Sequence, residues 1–203
     1  VSQITTLPGS ELFAAPSPDG KKIVFKWLSA SVNNNLFLKD LNNPKAPARQ
    51  LTHGKLSVSQ SVWSNDGQRL YFAKKDRIKD TCQIIEMNMN TTQERVLTDC
   101  YTTGGYYYID ISPDDSTLAY HDKKPPAKDS GIYLLNLTKP NSLPTRFSCD
   151  GKCGHRDRDF AFSPDGKTIA VTRRINRFNE NIYLANIKTK LAKVNTTSSS
   201  LAI

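Results

Sequence analysis

Apolar and polar positions alternate along this chain in short runs, and the same order of runs returns four times. Each return carries a turn phrase: Ser17-Pro18-Asp19-Gly20, Ser64-Asn65-Asp66-Gly67, Ser112-Pro113-Asp114-Asp115 and Ser163-Pro164-Asp165-Gly166. From Ser17 to Ser64 to Ser112 to Ser163 the steps are 47, 48 and 51 residues, a period that marks an array of supersecondary units. Behind each phrase lies an apolar run of the β-branched and aromatic kind that fills buried strands: Ile23-Val24-Phe25, Leu70-Tyr71-Phe72, Leu118-Ala119-Tyr120 and Ile169-Ala170-Val171. A further strand is predicted over 36–41, 83–87, 132–137 and 182–187, and a shorter one over 48–52, 94–98, 144–148 and 191–195. An inner strand precedes each turn, ending in Ala15-Pro16, Val62-Trp63, Asp110-Ile111 and Ala161-Phe162. Each repeat therefore supplies four strands, a to d in chain order.

The turn phrase has its own physical reading. Pro presets φ at the second position of a type I turn, and Asp suits the third. Gly20, Gly67 and Gly166 then take the left-handed conformation of a three-residue hairpin loop with a bulge. Asn65 stands where the other repeats have proline, a position most residues tolerate. Asp115 stands in place of glycine, and aspartate visits left-handed space more readily than most residues. Asp19, Asp66, Asp114 and Asp165 are thus turn formers rather than paired catalytic carboxylates, one to each repeat.

Radially repeated four-stranded antiparallel sheets are the blades of a β-propeller. The expected fold is all-β, a propeller with four repeats visible and an incomplete or open ring. The blades are expected over 10–54, 55–101, 102–151 and 152–203, the last including a polar tail, with 1–9 as a lone outer strand. Residues 3–9 resemble the d strands that close later repeats, yet the fourth repeat has its own candidate d strand over 191–195. Propellers have roughly four to eight blades, so missing blades are the favoured expectation and an unusual closure the alternative. The chain opens on Val1 and shows no secretory segment or apolar run long enough to cross a bilayer; it reads as an excised domain or processed product.

The Ser-Pro-Asp-Gly turn, the apolar strand and the Ile-Tyr-Leu-x-Asn strand (182–186, echoed at 132–136) resemble the WD-repeat-like propeller repeat of TolB and related proteins. The likeness runs over nearly the whole chain. It implies a propeller that acts through its loops, although this fold hosts many unrelated functions.

Composition adds charge and compartment. The chain carries a formal net charge of +9, which alone implies only a well-solvated surface. Its placement says more. In a four-stranded blade the a–b and c–d turns share one rim, and the b–c and d–a loops share the other. The b–c loops are read as carrying Lys74, Lys75 and Arg77, then Lys123 and Lys124, then Arg173 and Arg174; the d–a loops add His155, Arg156 and Arg158. That rim is expected to be electropositive and to meet another protein or an anionic ligand. The pattern matches no recognised nucleic-acid reader, so direct nucleic-acid binding is not expected.

Cys82 and Cys100 flank a hairpin centred near Thr91, and a simple register places them opposite each other, as a disulfide requires. Cys149 and Cys153 bracket a short loop and could close a small ring. Two locally pairable sets suggest an oxidising, periplasmic or extracellular location. A half zinc site at Cys149, Cys153 and His155 is the competing reading, though structural zinc takes four ligands.

Other chemistry is thin. No nucleophile elbow, phosphate loop or His-Glu-x-x-His occurs, and no cofactor is expected. His53, His121 and His155 read as surface residues, Tyr106 to Tyr108 as packing, and Asp157, Arg158 and Asp159 as polar groups at the channel entrance. The expected function is non-enzymatic. The opening Gln-Ile-Thr-Thr-Leu-Pro-Gly-Ser-Glu before the first turn resembles the periplasmic part of CadC/ToxR-like regulators, which join a winged-helix DNA-binding domain to a membrane helix and a propeller. On that likeness the chain is a signal-receiving domain, reaching the membrane only through an anchor outside this sequence. The alternatives are a TolB-type interaction propeller and the substrate-gating propeller of a prolyl-oligopeptidase-like serine peptidase. Oligomeric state is open at this level.

Overall fold

The structure is a computed structural model that describes residues 3–29, 34–54, 56–76, 78–79, 81–101, 108–122, 131–148, 156–174 and 178–188. Within them lie fifteen strands and no helix. The first sheet is β1 (Ser10–Pro16), β2 (Lys22–Leu28), β3 (Asn35–Asp40) and β4 (Arg49–Gln50). The second is β5 (Leu56–Trp63), β6 (Arg69–Asp76), β7 (Thr81–Asn88) and β8 (Glu94–Asp99). The third is β9 (Ile109–Ile111), β10 (Thr117–Asp122), β11 (Gly131–Asn136) and β12 (Thr145–Arg146). The fourth has three described strands, β13 (Arg156–Phe162), β14 (Thr168–Arg174) and β15 (Glu180–Asn186). Strand order follows chain order in every sheet, and every pair is antiparallel. These are propeller blades.

Alternation along the central strands explains why the sheets stack. In β6, Phe72 faces the first sheet and joins Val24, Leu36, Val58, Trp63 and Ile85 in one buried cluster. Its neighbours Tyr71 and Ala73 point the other way, into a cluster with Leu118, Tyr120 and Tyr133 of the third sheet. Ala119 and Ile132 repeat the pattern against Ile169 and Val171 of the fourth. Full burial of such side chains contributes about 1.5–3 kcal/mol each. The junctions also carry polar ties: Trp63 Nε1 donates to Ala15 O at 3.0 Å, and Phe162 N donates to Asp110 Oδ2 at 2.8 Å. Inner strands of successive sheets touch, β1 with β5, β5 with β9 and β9 with β13, so the described residues form an arc around an axis.

The turns depart from expectation by one residue. Ser17 N–H bonds Lys22 O at 2.8 Å, leaving the four residues from Pro18 to Lys21 in the loop. The serine hydroxyl makes this length work. Ser17 Oγ accepts from Lys22 N at 2.9 Å, where a shorter loop would use a backbone carbonyl. Ser64, Ser112 and Ser163 do the same for Arg69, Thr117 and Thr168. Left-handed backbone falls where predicted, at Gly20, Gly67 and Gly166 (φ 69, 69 and 67°) and at Asp115 (φ 57°).

Two further expectations are modified. Residues 3–9 form no strand, because no sheet edge among the described residues pairs with them; instead Trp27 Nε1 donates to Pro8 O at 2.9 Å. The predicted outer strand of the fourth repeat, 191–195, lies outside the described residues.

Candidate binding face

Hydrogen bonding separates the two rims. On one, each a–b turn is tied to the c–d turn of its own blade: Leu41 N to Lys21 O, Met89 N to Gln68 O, Leu137 N to Ser116 O and Ile187 N to Lys167 O, at 2.8 to 3.0 Å. The aspartates of the turn phrase serve this rim. Asp19, Asp66, Asp114 and Asp165 each accept a bond from the serine two residues back and from the backbone N–H two residues on. These bonds, the serine hydroxyl first, hold their carboxyls below the usual aspartate value of 3.8. The motif carboxylates build turns. The c–d turns have their own caps: Asp40, Asn88, Asn136 and Asn186 each accept the backbone N–H two residues ahead, which accounts for the Asn or Asp ending each c strand.

The described candidate cations of the opposite rim, Lys74, Lys75, Arg173 and Arg174, lie at strand ends rather than in loops. Lys74 and Lys75 belong to β6, whose ladder runs on to Asp76 opposite Thr81. Arg173 and Arg174 end β14, paired with Asn181 and Glu180. Lys74, Arg173 and Arg174 face carboxylates. Lys74 pairs with Glu94, and Arg174 with Glu180 at 3.5 Å. Arg173 grips Asp157 through Nε (2.6 Å) and Nη2 (3.1 Å) and lies over the Tyr183 ring, 5.2 Å from its centroid.

Asp157 therefore differs from the expected channel-entrance group. Its side chain is fully buried, and cross-strand pairing of Asp157 with Arg173 sets the two side by side. A bidentate, largely desolvated pair of this kind is a geometric anchor more than a source of net stability. Its signal was the acidic-basic match at paired positions of strands a and b, visible only once the register is known.

His121, expected on the surface, is buried in β10 opposite Ile132, while His53 is exposed. Its strand position is the one where the second sheet buries Ala73, so the fold rather than residue type sets its burial. Arg156 and Arg158 lie in β13, and their side chains are outside the description. Arg77, Lys123, Lys124, His155, Cys149, Cys153, Tyr106 and Tyr107 also fall outside the described residues. No group of three or more potential metal ligands gathers among the described residues.

Cys82 and Cys100 form a disulfide with their Cα atoms 4.9 Å apart. The pairing Gln83–Asp99 and the bond from Cys100 N to Cys82 O at 2.8 Å place them as the hairpin register predicts. The covalent link joins strand c to the end of the outer strand, with both residues in the core between the second and third sheets.

Asp110 is a partly buried titratable group of the inner strand β9. It accepts from Phe162 N and from its neighbour Ile111 N. Loss of solvent outweighs these bonds and pushes its carboxyl above the ordinary value. Sequence reading placed Asp110 only as the end of an inner strand. Its role in tying the third sheet to the fourth required the register.

No protein-family model matches the sequence, and no curated protein matches it. Solved structures do. TolB from Acinetobacter baumannii is 22% identical with a TM-score of 0.72, over 93% of this chain and 44% of that protein. The putative TolB from Agrobacterium tumefaciens is 16% identical with a TM-score of 0.66, over 86% and 60% of the two chains. A prolyl endopeptidase matches at 15% identity and a TM-score of 0.64, over 89% of this chain but 28% of its own. The fold is that of a TolB-like β-propeller. The chain spans less than two thirds of the length of each of these proteins.

Proposed function

We propose that this chain is a non-enzymatic binding propeller outside the cytoplasm, the signal-receiving domain of a membrane-bound transcription regulator. One observation carries the binding part of this reading. The side chains that recur in every blade, Ser and Asp of the turn phrase and the Asn or Asp ending strand c, are consumed in hydrogen bonds that build one rim. Recognition then falls to the opposite rim, where side chains differ from blade to blade. Its partner is another protein or an anionic ligand meeting the cationic strand ends and their loops. The Cys82–Cys100 disulfide supports an oxidising compartment. The regulator context rests on likeness of the first residues to CadC/ToxR-like proteins. The likeness to TolB structures favours a second reading, a freely periplasmic interaction propeller.

The reading frame around this sequence tests the assignment. A winged-helix domain and a membrane span upstream are expected. A secretory leader directly before Val1 would favour the TolB-type reading, and a hydrolase domain in the same frame would replace both with substrate gating. Charge reversal at Lys74, Lys124 and Arg174 tests the rim itself: affinity for a sulfated polysaccharide probe is expected to fall, and unchanged affinity would remove the cationic rim from the account.

A further inference from the structure

We draw no further inference here: the strongest candidate, the surface patch at the end of the second sheet where Ile78 of the β6–β7 connection and Tyr101 after Cys100 are exposed, carries nothing because nothing in the structure shows what covers it.

Discussion

Asn65 donates its backbone N–H to both carboxylate oxygens of Asp115, at 2.8 and 3.1 Å, across the junction of the second and third sheets. Its side-chain amide adds bonds to Asp115 Oδ1 (2.8 Å) and Ser112 O (3.1 Å). These two residues are the two departures from the turn phrase. At the neighbouring junctions the same places hold proline beside glycine: a Cβ on Gly67 would lie 3.7 Å from Pro18 Cδ, and one on Gly166 3.4 Å from Pro113 Cδ. Proline has no N–H to donate and glycine no side chain to accept. The middle junction replaces a proline–glycine pair with a hydrogen-bonded one.

The two positions are therefore predicted to be coupled. Asn65→Pro alone removes the donors that face a partly buried carboxylate and costs about 1–3 kcal/mol. Asp115→Gly alone is near neutral, since losing the bonds is offset by relief of a left-handed aspartate. In the Asp115→Gly background, Asn65→Pro recreates the neighbouring arrangement and costs far less. Urea denaturation of the four proteins measures the cycle, and additive effects would show that the positions act separately.

Ser64 is predicted to matter more than its size suggests. It is fully buried, and its hydroxyl accepts Arg69 N at 2.9 Å and donates to Asp66. Ser64→Ala leaves the part-buried backbone N–H of Arg69 without its acceptor, a loss of about 1–3 kcal/mol. A urea midpoint equal to that of the parent would contradict the role assigned to the motif serines.

Acid is predicted to weaken the turn rim. The folded-state values of Asp66 and Asp114 lie below 3.8, so their contribution is complete above that pH and disappears as pH falls through the lower folded-state values. Asp110 has the opposite sign. Its folded value is raised, so the stability it contributes is present below the ordinary value and lost as pH rises through the folded one. Asp110→Asn keeps an acceptor for Phe162 N without a buried charge, and is expected to hold or raise stability at neutral pH. Asp66→Asn and Asp114→Asn flatten the acid limb. Melting temperatures recorded against pH separate the two behaviours.

The disulfide is predicted to stabilise the second sheet. Cys82 and Cys100 are 18 residues apart in sequence, and closing a loop of that size in the unfolded chain is worth about 3 kcal/mol. The double exchange to serine should lower the urea midpoint accordingly. Equal midpoints would mean that the link does not form in solution.

Much of this fold was legible because strand alternation and turn chemistry are local. The repeated serine-to-aspartate phrase placed the hairpins, and the spacing of Cys82 and Cys100 placed a register. What escaped depends on how sheets meet. Nothing in sequence joins Asn65 to Asp115 or Asp110 to Phe162 until the sheets are stacked. Asp157 and Arg173 looked like separate surface charges because their adjacency arises only from the β13–β14 ladder. The loop length was misjudged for a chemical reason: the motif serine was read by its place before proline, and its hydroxyl was not credited with receiving a backbone N–H.

The central claim is that each repeat closes its own sheet before the next begins. Cross-strand nuclear Overhauser contacts test it most directly. The predicted set pairs Phe25 with Phe37, Phe72 with Ile85, Tyr120 with Tyr133 and Val171 with Tyr183. Backbone contacts showing central strands of different repeats paired within one sheet would contradict it.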